Sequence, residues 1–294
     1  MAPIEPSNSG FIGVFDSGIG GLSVLQALRA EMPQERFVYW ADSDFAPYGE
    51  RSEQFVIERS HFITQQLIAQ GPMKALVVAC NTATAVAIES LRATFPSLPF
   101  IGVEPALKPA LAQTKTLRVG VMGTQGTLRS LRFEKLLQSV LNEASSQSCE
   151  FVLQSCKGLA IAIEQQTEKS LNDTQAIDAL CAHYVASMGS FGLAPGQIDT
   201  LVLGCTHYVF VQDILRQLVG PQVNIISTGE AVAKQTRRLI VPLSPNAENA
   251  DMSNNIQLWT NGSLQALQAA ASRWLDLSSE HCLLVQTQSS QALN

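Results

Sequence analysis

The chain has 294 residues, 46% apolar and 15% charged, which excludes a disordered or charge-patterned polypeptide and leaves room for two cores. Its net charge of −6 and the lack of a Lys/Arg cluster speak against nucleic acid as a main partner, since that needs a basic footprint. No secretory signal follows Met1, no uncharged apolar span approaches the ~18 residues of a membrane helix, and six cysteines without CxxC spacing suggest neither a disulfide framework nor a zinc site, so the expectation is a soluble cytoplasmic protein with reduced thiols.

After a polar N-terminal arm, Phe11–Phe15 reads as a strand, followed by the turn Asp16-Ser17-Gly18-Ile19-Gly20-Gly21 and a helix over 22–30. The glycines invite a dinucleotide reading, but Ser23 stands where GxGxxG needs its third glycine. What they do allow is close approach of backbone N–H groups to something small and anionic, with Asp16 and Ser17 alongside. Phe37–Ala41 is the next strand and runs into a polar loop ending in Pro47-Tyr48-Gly49; read on its own, Tyr48 is a core aromatic with a satisfied hydroxyl. A helix over 52–69 follows, with Phe55, Phe62, Ile63 and Leu67 broadly on one face.

The run Leu76-Val77-Val78-Ala79-Cys80-Asn81-Thr82 is a fully buried parallel strand ending in a cysteine, and Leu201-Val202-Leu203-Gly204-Cys205-Thr206-His207 is its second copy. A helix over 83–94 and a strand at 100–103 close the first unit. Arg118–Thr127 echoes the opening strand and its Gly-containing turn, and Ile225–Ala231 echoes Ile101–Ala106. Three pairs in one order at similar offsets predict an internal duplication. Helix-rich stretches near 128–144 and 173–191 cover the second sheet, Pro242–Asn255 is a polar loop, and a strand at 256–260 with a helix over 263–274 precedes a polar tail. The fold class is therefore α/β, with two similar open parallel-sheet domains related by pseudo-twofold symmetry and an active site in the cleft between them.

In that arrangement Cys80 and Cys205 approach one cleft from opposite sides. Inversion of a stereocentre needs a base on one face and an acid on the other, and a thiolate and a thiol can exchange those roles. Asp16 is the tuner or relay expected for Cys80, and His207 for Cys205. Asn81, Thr82, Thr206, Ser17 and the Thr124/Thr127 turn offer neutral donors and acceptors for a small zwitterion, without salt bridges that would favour one enantiomer. Either cysteine alone reads equally as a small buried hydrophobe, as Cys149, Cys156, Cys181 and Cys282 do; it is the duplication that favours chemistry. His61, His183 and His281 fit helix or surface positions.

Asp16–Gly21, Pro47-Tyr48-Gly49, Ala79–Thr84 and Gly204–Tyr208 together resemble the signatures of glutamate racemases, within the cofactor-independent aspartate/glutamate racemase superfamily. The resemblance runs from about Phe11 to Trp274. It implies interconversion of L- and D-glutamate for peptidoglycan by two thiols, with neither pyridoxal phosphate nor a metal. By position, Cys80 takes the α-proton of D-glutamate and Cys205 that of L-glutamate, while Asp16, Ser17, Tyr48, Gly49, Asn81, Thr82, Thr206 and His207 line the substrate site. It also implies an insert at 104–227 between the two parts of a first domain, 1–103 and 228–294. The partner expected is a small-molecule substrate, with no nucleic acid and no membrane, and a homodimer is left open. Two departures touch the rim of the second domain. Ser227-Thr228 stands where Asp-Ser is common, and Ser155–Leu159, ahead of the candidate rim residue Glu164, lacks a proline-rich form. The rival readings are an aspartate or other small-carboxylate racemase or isomerase, a two-lobed amino-acid-binding protein, and a single-thiol hydrolase or decarboxylase.

Overall fold

A computed structural model describes residues 10–143, 149–166, 174–240 and 255–286. The N-terminal arm before Gly10, nearly all of the Pro242–Asn255 loop and the tail after Gln286 lie outside the described residues. In chain order the elements are β1 (Phe11–Asp16), α1 (Leu22–Glu31), β2 (Phe37–Ala41), α2 (Glu53–Ile68), β3 (Met73–Val78), α3 (Asn81–Thr94) and β4 (Phe100–Gly102). There follow α4 (Leu107–Gln113), β5 (Arg118–Gly123), α5 (Gln125–Leu128), α6 (Leu131–Glu143), β6 (Glu150–Ser155), α7 (Leu159–Gln166), α8 (Gln175–Met188), β7 (Thr200–Gly204), α9 (Gln212–Val219) and β8 (Asn224–Ile226). The chain ends with α10 (Gly229–Leu239), β9 (Ile256–Thr260), α11 (Leu264–Leu275) and β10 (Cys282–Leu284).

The strands form two sheets, ordered β10-β9-β2-β1-β3-β4 and β6-β5-β7-β8, and every pairing within them is parallel. The second order is that of the last four strands of the first, β2-β1-β3-β4, with each strand replaced by its counterpart: β1 by β5, β2 by β6, β3 by β7 and β4 by β8. The repeat read from the two cysteine strands, the two turn strands and the Ile101/Ile225 pair is thus a repeat of topology. β9 and β10 extend the first sheet only.

Apolar residues at successive strand positions point to opposite faces, so a sheet covered on both sides needs helices on both. Ile12, Val14, Tyr39 and Val77 join Leu22, Leu25 and Leu28 of α1, Val232 and Ala233 of α10 and Leu267 and Ala270 of α11 in one core. Phe15, Trp40, Leu76 and Val78 join Val56, Ile63 and Leu67 of α2 and Ala87, Ile88 and Leu91 of α3 in the other. Leu22, Leu25 and Leu28 are fully buried, and each contributes ~1.5–3 kcal/mol by transfer from water. The second sheet is covered likewise, by α4 and α6 on one side and by α7, α8 and α9 on the other. Ser52 and Ser263 cap α2 and α11 by accepting from the N–H groups of Phe55 and Ala266.

The two sheets meet at their carboxyl edges. The carboxyl ends of β1, β2 and β3 and the segments after them touch those of β5, β6 and β7 through Asp16 and Thr206, Ser43 and Glu164, and Thr82 and Thr124. A parallel sheet gathers its loops and helix N-termini on that edge, so the groups suited to binding a small polar molecule all face one seam.

Candidate active site

Cys80 follows β3 and is the residue that caps α3: its sulfur accepts from the Ala83 N–H at 3.5 Å. Its thiol donates to the Ser17 hydroxyl at 3.8 Å. Cys205 follows β7 in the corresponding place, but leads into a 3-10 turn over Thr206–Val211 with no side-chain cap bond. The scaffold repeats here while the surroundings of the two sulfurs differ.

Asp16, at the end of β1, is fully buried and held by the N–H groups of Ser17 at 2.8 Å and Gly21 at 2.5 Å. Burial raises its carboxyl above the ordinary range, against the opposing pull of the His207 charge and the Ser17 N–H. Burial, and then the Asp16 charge, push the Cys80 thiol well up, while the Ala83 N–H and the Ser17 contact work the other way.

On the second side His207 Nδ1 lies 3.9 Å from Cys205 Sγ and Nε2 lies 2.7 Å from Glu164 Oε2. An ionised carboxylate only accepts, so Nε2 carries the hydrogen and Nδ1 is the nitrogen free to trade a proton with sulfur. Burial alone would lower the His207 pKa, but hydrogen bonds to Cys205 and Glu164 and the charges they carry outweigh it and raise it well above the ordinary value.

The remaining residues singled out in the sequence fall into three groups. Thr82, Thr124 and Thr127 bring three hydroxyls together across the seam, Thr82 to Thr124 at 3.0 Å, Thr82 to Thr127 at 3.4 Å and Thr124 to Thr127 at 2.9 Å. Gly49 packs against Thr124, where a Cβ would stand 2.7 Å from the threonine Cβ. Asn81 donates to the Val103 carbonyl at 3.4 Å, and its buried Oδ1 has no partner among the described residues. Tyr48 is buried, with its hydroxyl donating to Asp42, and Cys80 is among the groups whose charge acts on that hydroxyl.

Two features escaped the sequence reading. Asp42 is the centre of a buried cluster, bound by Arg59 Nη2 at 2.6 Å and Nε at 3.0 Å, by Asn261 Nδ2 at 2.7 Å and by Tyr48. Arg59 also lies over the rings of Phe45 and Phe62. This cluster fixes the loop that carries Tyr48 and Gly49. The second is the depth to which Glu164 enters the site, where its carboxylate meets His207 Nε2.

Among the described residues no group of three or more His, Cys, Asp or Glu side chains converges as metal ligands do. Burial pushes the Cys156 and Cys181 thiols up to about 12 and Cys282 to about 11, in keeping with inert core residues. Among the described residues no helix is long and apolar enough to cross a membrane.

The sequence profile of the Asp/Glu/Hydantoin racemase family matches residues 22–236. A glutamate racemase of Ectopseudomonas mendocina is 43% identical over 258 residues, covering 88% of this chain and 92% of the relative. One of Cupriavidus pinatubonensis is 46% identical over 230 residues, 78% of this chain and 79% of the relative. Among solved structures, glutamate racemase isoform RacE1 of Bacillus anthracis superposes with a TM-score of 0.76 at 30% identity, covering 96% of this chain and 98% of that one. The Escherichia coli glutamate racemase, solved with L-glutamate and the activator UDP-MurNAc-Ala, gives 0.77 at 28% identity, covering 94% and 97%.

Proposed function

The chain belongs to the Asp/Glu/hydantoin racemase family, and we propose that it interconverts L- and D-glutamate by passing the α-proton between Cys80 and Cys205. It is an amino-acid isomerase, and glutamate is the substrate its relatives carry in their names. The observation that supports the two-thiol route most directly is the matched position of the cysteines, each within two residues of the end of an interior strand of its own sheet, at the edge where the sheets meet.

Cys205 takes the α-proton of L-glutamate, with His207 as its proton partner, and Cys80 returns a proton to the other face; D-glutamate runs the same steps in reverse. Asp16 stands beside Cys80 as its acid–base partner. The unpartnered Asn81 Oδ1 and the Ser17 and Thr206 hydroxyls suit the ammonium and α-carboxylate, and the hydroxyls of Thr82, Thr124 and Thr127 suit the distal carboxylate. The Tyr48-Gly49 loop completes the wall on that side. We take 104–227 as an inserted unit and 1–103 with 228–294 as the other; packing of α10 against α1 supports the return point. The product suits a cytoplasmic supply of D-glutamate to peptidoglycan synthesis.

The purified protein, with no added cofactor, is to be incubated with L-glutamate in D2O while optical rotation and the α-proton NMR signal are followed together. Loss of both supports two-base racemisation. Loss of the α-proton with retained rotation leaves a single working base. If L-glutamate is inert but L-aspartate loses both signals, the chain is an aspartate racemase of the same family.

A further inference from the structure

Glu164 lies at the mouth of the seam, with 13% of its side chain exposed against 5% for His207. It reaches from α7 to the facing unit and accepts there from the Ile19 N–H, at 2.9 and 3.2 Å to its two oxygens, and from the Ser43 hydroxyl at 3.0 Å. With His207 Nε2 at 2.7 Å, donors from both units converge on one carboxylate. A Cβ at Gly18 would collide with both carboxylate oxygens, so the missing side chain there is what lets the carboxylate seat against the turn. Beneath it Cys80 and Cys205 are only 6% and 7% exposed and Asp16 not at all.

Other contacts across the seam are fewer to each acceptor. The Thr82–Thr124 bond joins two neutral hydroxyls at 3.0 Å, and Asp16 takes a single bond from the facing unit, from Thr206 at 3.3 Å. The Arg132–Glu89 pair is charged, but 71% of the Glu89 side chain is exposed, and exposed pairs hold little. Hydrogen bonds to a partly buried carboxylate are about twice as strong as neutral ones.

We propose that Glu164 is a latch: it closes the seam by occupying a carboxylate seat formed by Ile19 and Ser43 on the facing unit, and it must leave that seat before a substrate reaches the two thiols. The inference rests on the function proposed above only in taking Cys80 and Cys205 as the groups to be reached.

Iodoacetamide labelling of each cysteine, read by peptide mass spectrometry without substrate, tests it. Ser43→Ala, which leaves the His207 pair in place, should speed labelling of Cys80 about tenfold, the size of one lost hydrogen bond to a charged group. Glu164→Ala should speed it further, Glu164→Gln less than Ala, and exchange of the Ile19 amide should quicken in the Ala variant. Cys80 is the reporter because its hydrogen bonds go to Ser17 and Ala83 and not to His207. Cys181 and Cys282, buried elsewhere, report general loosening. Unchanged Cys80 labelling, or a rise matched by Cys181 and Cys282, overturns the latch. Labelling needs no turnover, so failure of the racemase reading would show separately, as an absent reaction with an intact labelling pattern.

Discussion

The hydroxyl of Thr206, the residue after Cys205, donates across the seam to the Asp16 carboxylate at 3.3 Å. Asp16, the acid–base partner proposed for Cys80, is therefore held in part by the unit that carries the other thiol. Closing the seam brings the two sets of groups together, and each is braced by a bond from the other unit.

Replacing either thiol should stop racemisation. Cys80→Ser and Cys205→Ser should each lower the rate by about 10²–10⁴-fold, the usual contribution of a positioned acid or base. Both variants should still bind glutamate by calorimetry. Full activity in one of them would favour the single-thiol reading instead.

His207→Asn should weaken one proton transfer selectively. The equilibrium constant between enantiomers is one, so kcat/KM must fall equally in both directions; isotope effects carry the asymmetry. With the Cys205 transfer made slower, α-deuterated L-glutamate should show a larger primary effect on kcat/KM and α-deuterated D-glutamate a smaller one. A shift of both in the same direction would remove His207 from the Cys205 side.

The same residue ties stability to pH. Its pKa in the folded protein is raised well above 6.5 by Cys205 and Glu164 despite burial. A raised basic group contributes stability fully below its unfolded pKa and loses it as pH rises through the folded one. The melting-temperature difference between the wild type and His207→Asn should therefore be largest below about pH 6.5 and shrink steadily on the alkaline side. A difference that stays constant with pH would contradict it.

Asp42→Ala should destabilise the protein by about 3–5 kcal/mol, because it leaves the Arg59 guanidinium buried without its counter-charge. Tyr48→Phe, which removes one of several bonds to the same carboxylate, should cost about 1 kcal/mol. Urea unfolding measures both. Near-equal values would mean that Arg59 finds water or another acceptor when Asp42 is lost.

The central strands were legible because both faces are buried. Phe11–Asp16 and Thr200–Gly204 have every residue buried, and Met73–Val78 and Arg118–Gly123 all but the first, so each carries a fully buried apolar run of at least three residues at its centre. β6 was not read as a strand: Glu150–Ser155 lies at a sheet edge with every side chain half-buried or exposed, and so has no such run. β10 failed for the same reason, with Leu283 and Leu284 exposed on a three-residue edge strand. The thiols, Asp16 and His207 stood next to recognisable strand ends. Asp42, Arg59 and Asn261 come from three distant segments, and only folding brings them together. Glu164 could be named as a rim residue, but its reach to Ile19 depends on the placement of α7, which no local pattern encodes.

The two sulfurs sit in unequal settings. Cys80, raised by burial and then by the Asp16 charge, holds its proton more tightly than an ordinary thiol, which in the two-thiol route proposed above suits it to the role of proton donor when L-glutamate is the substrate. In that route a turnover from L to D would leave the proton on Cys205 and not on Cys80, so a proton has to move back before the next L-glutamate can react.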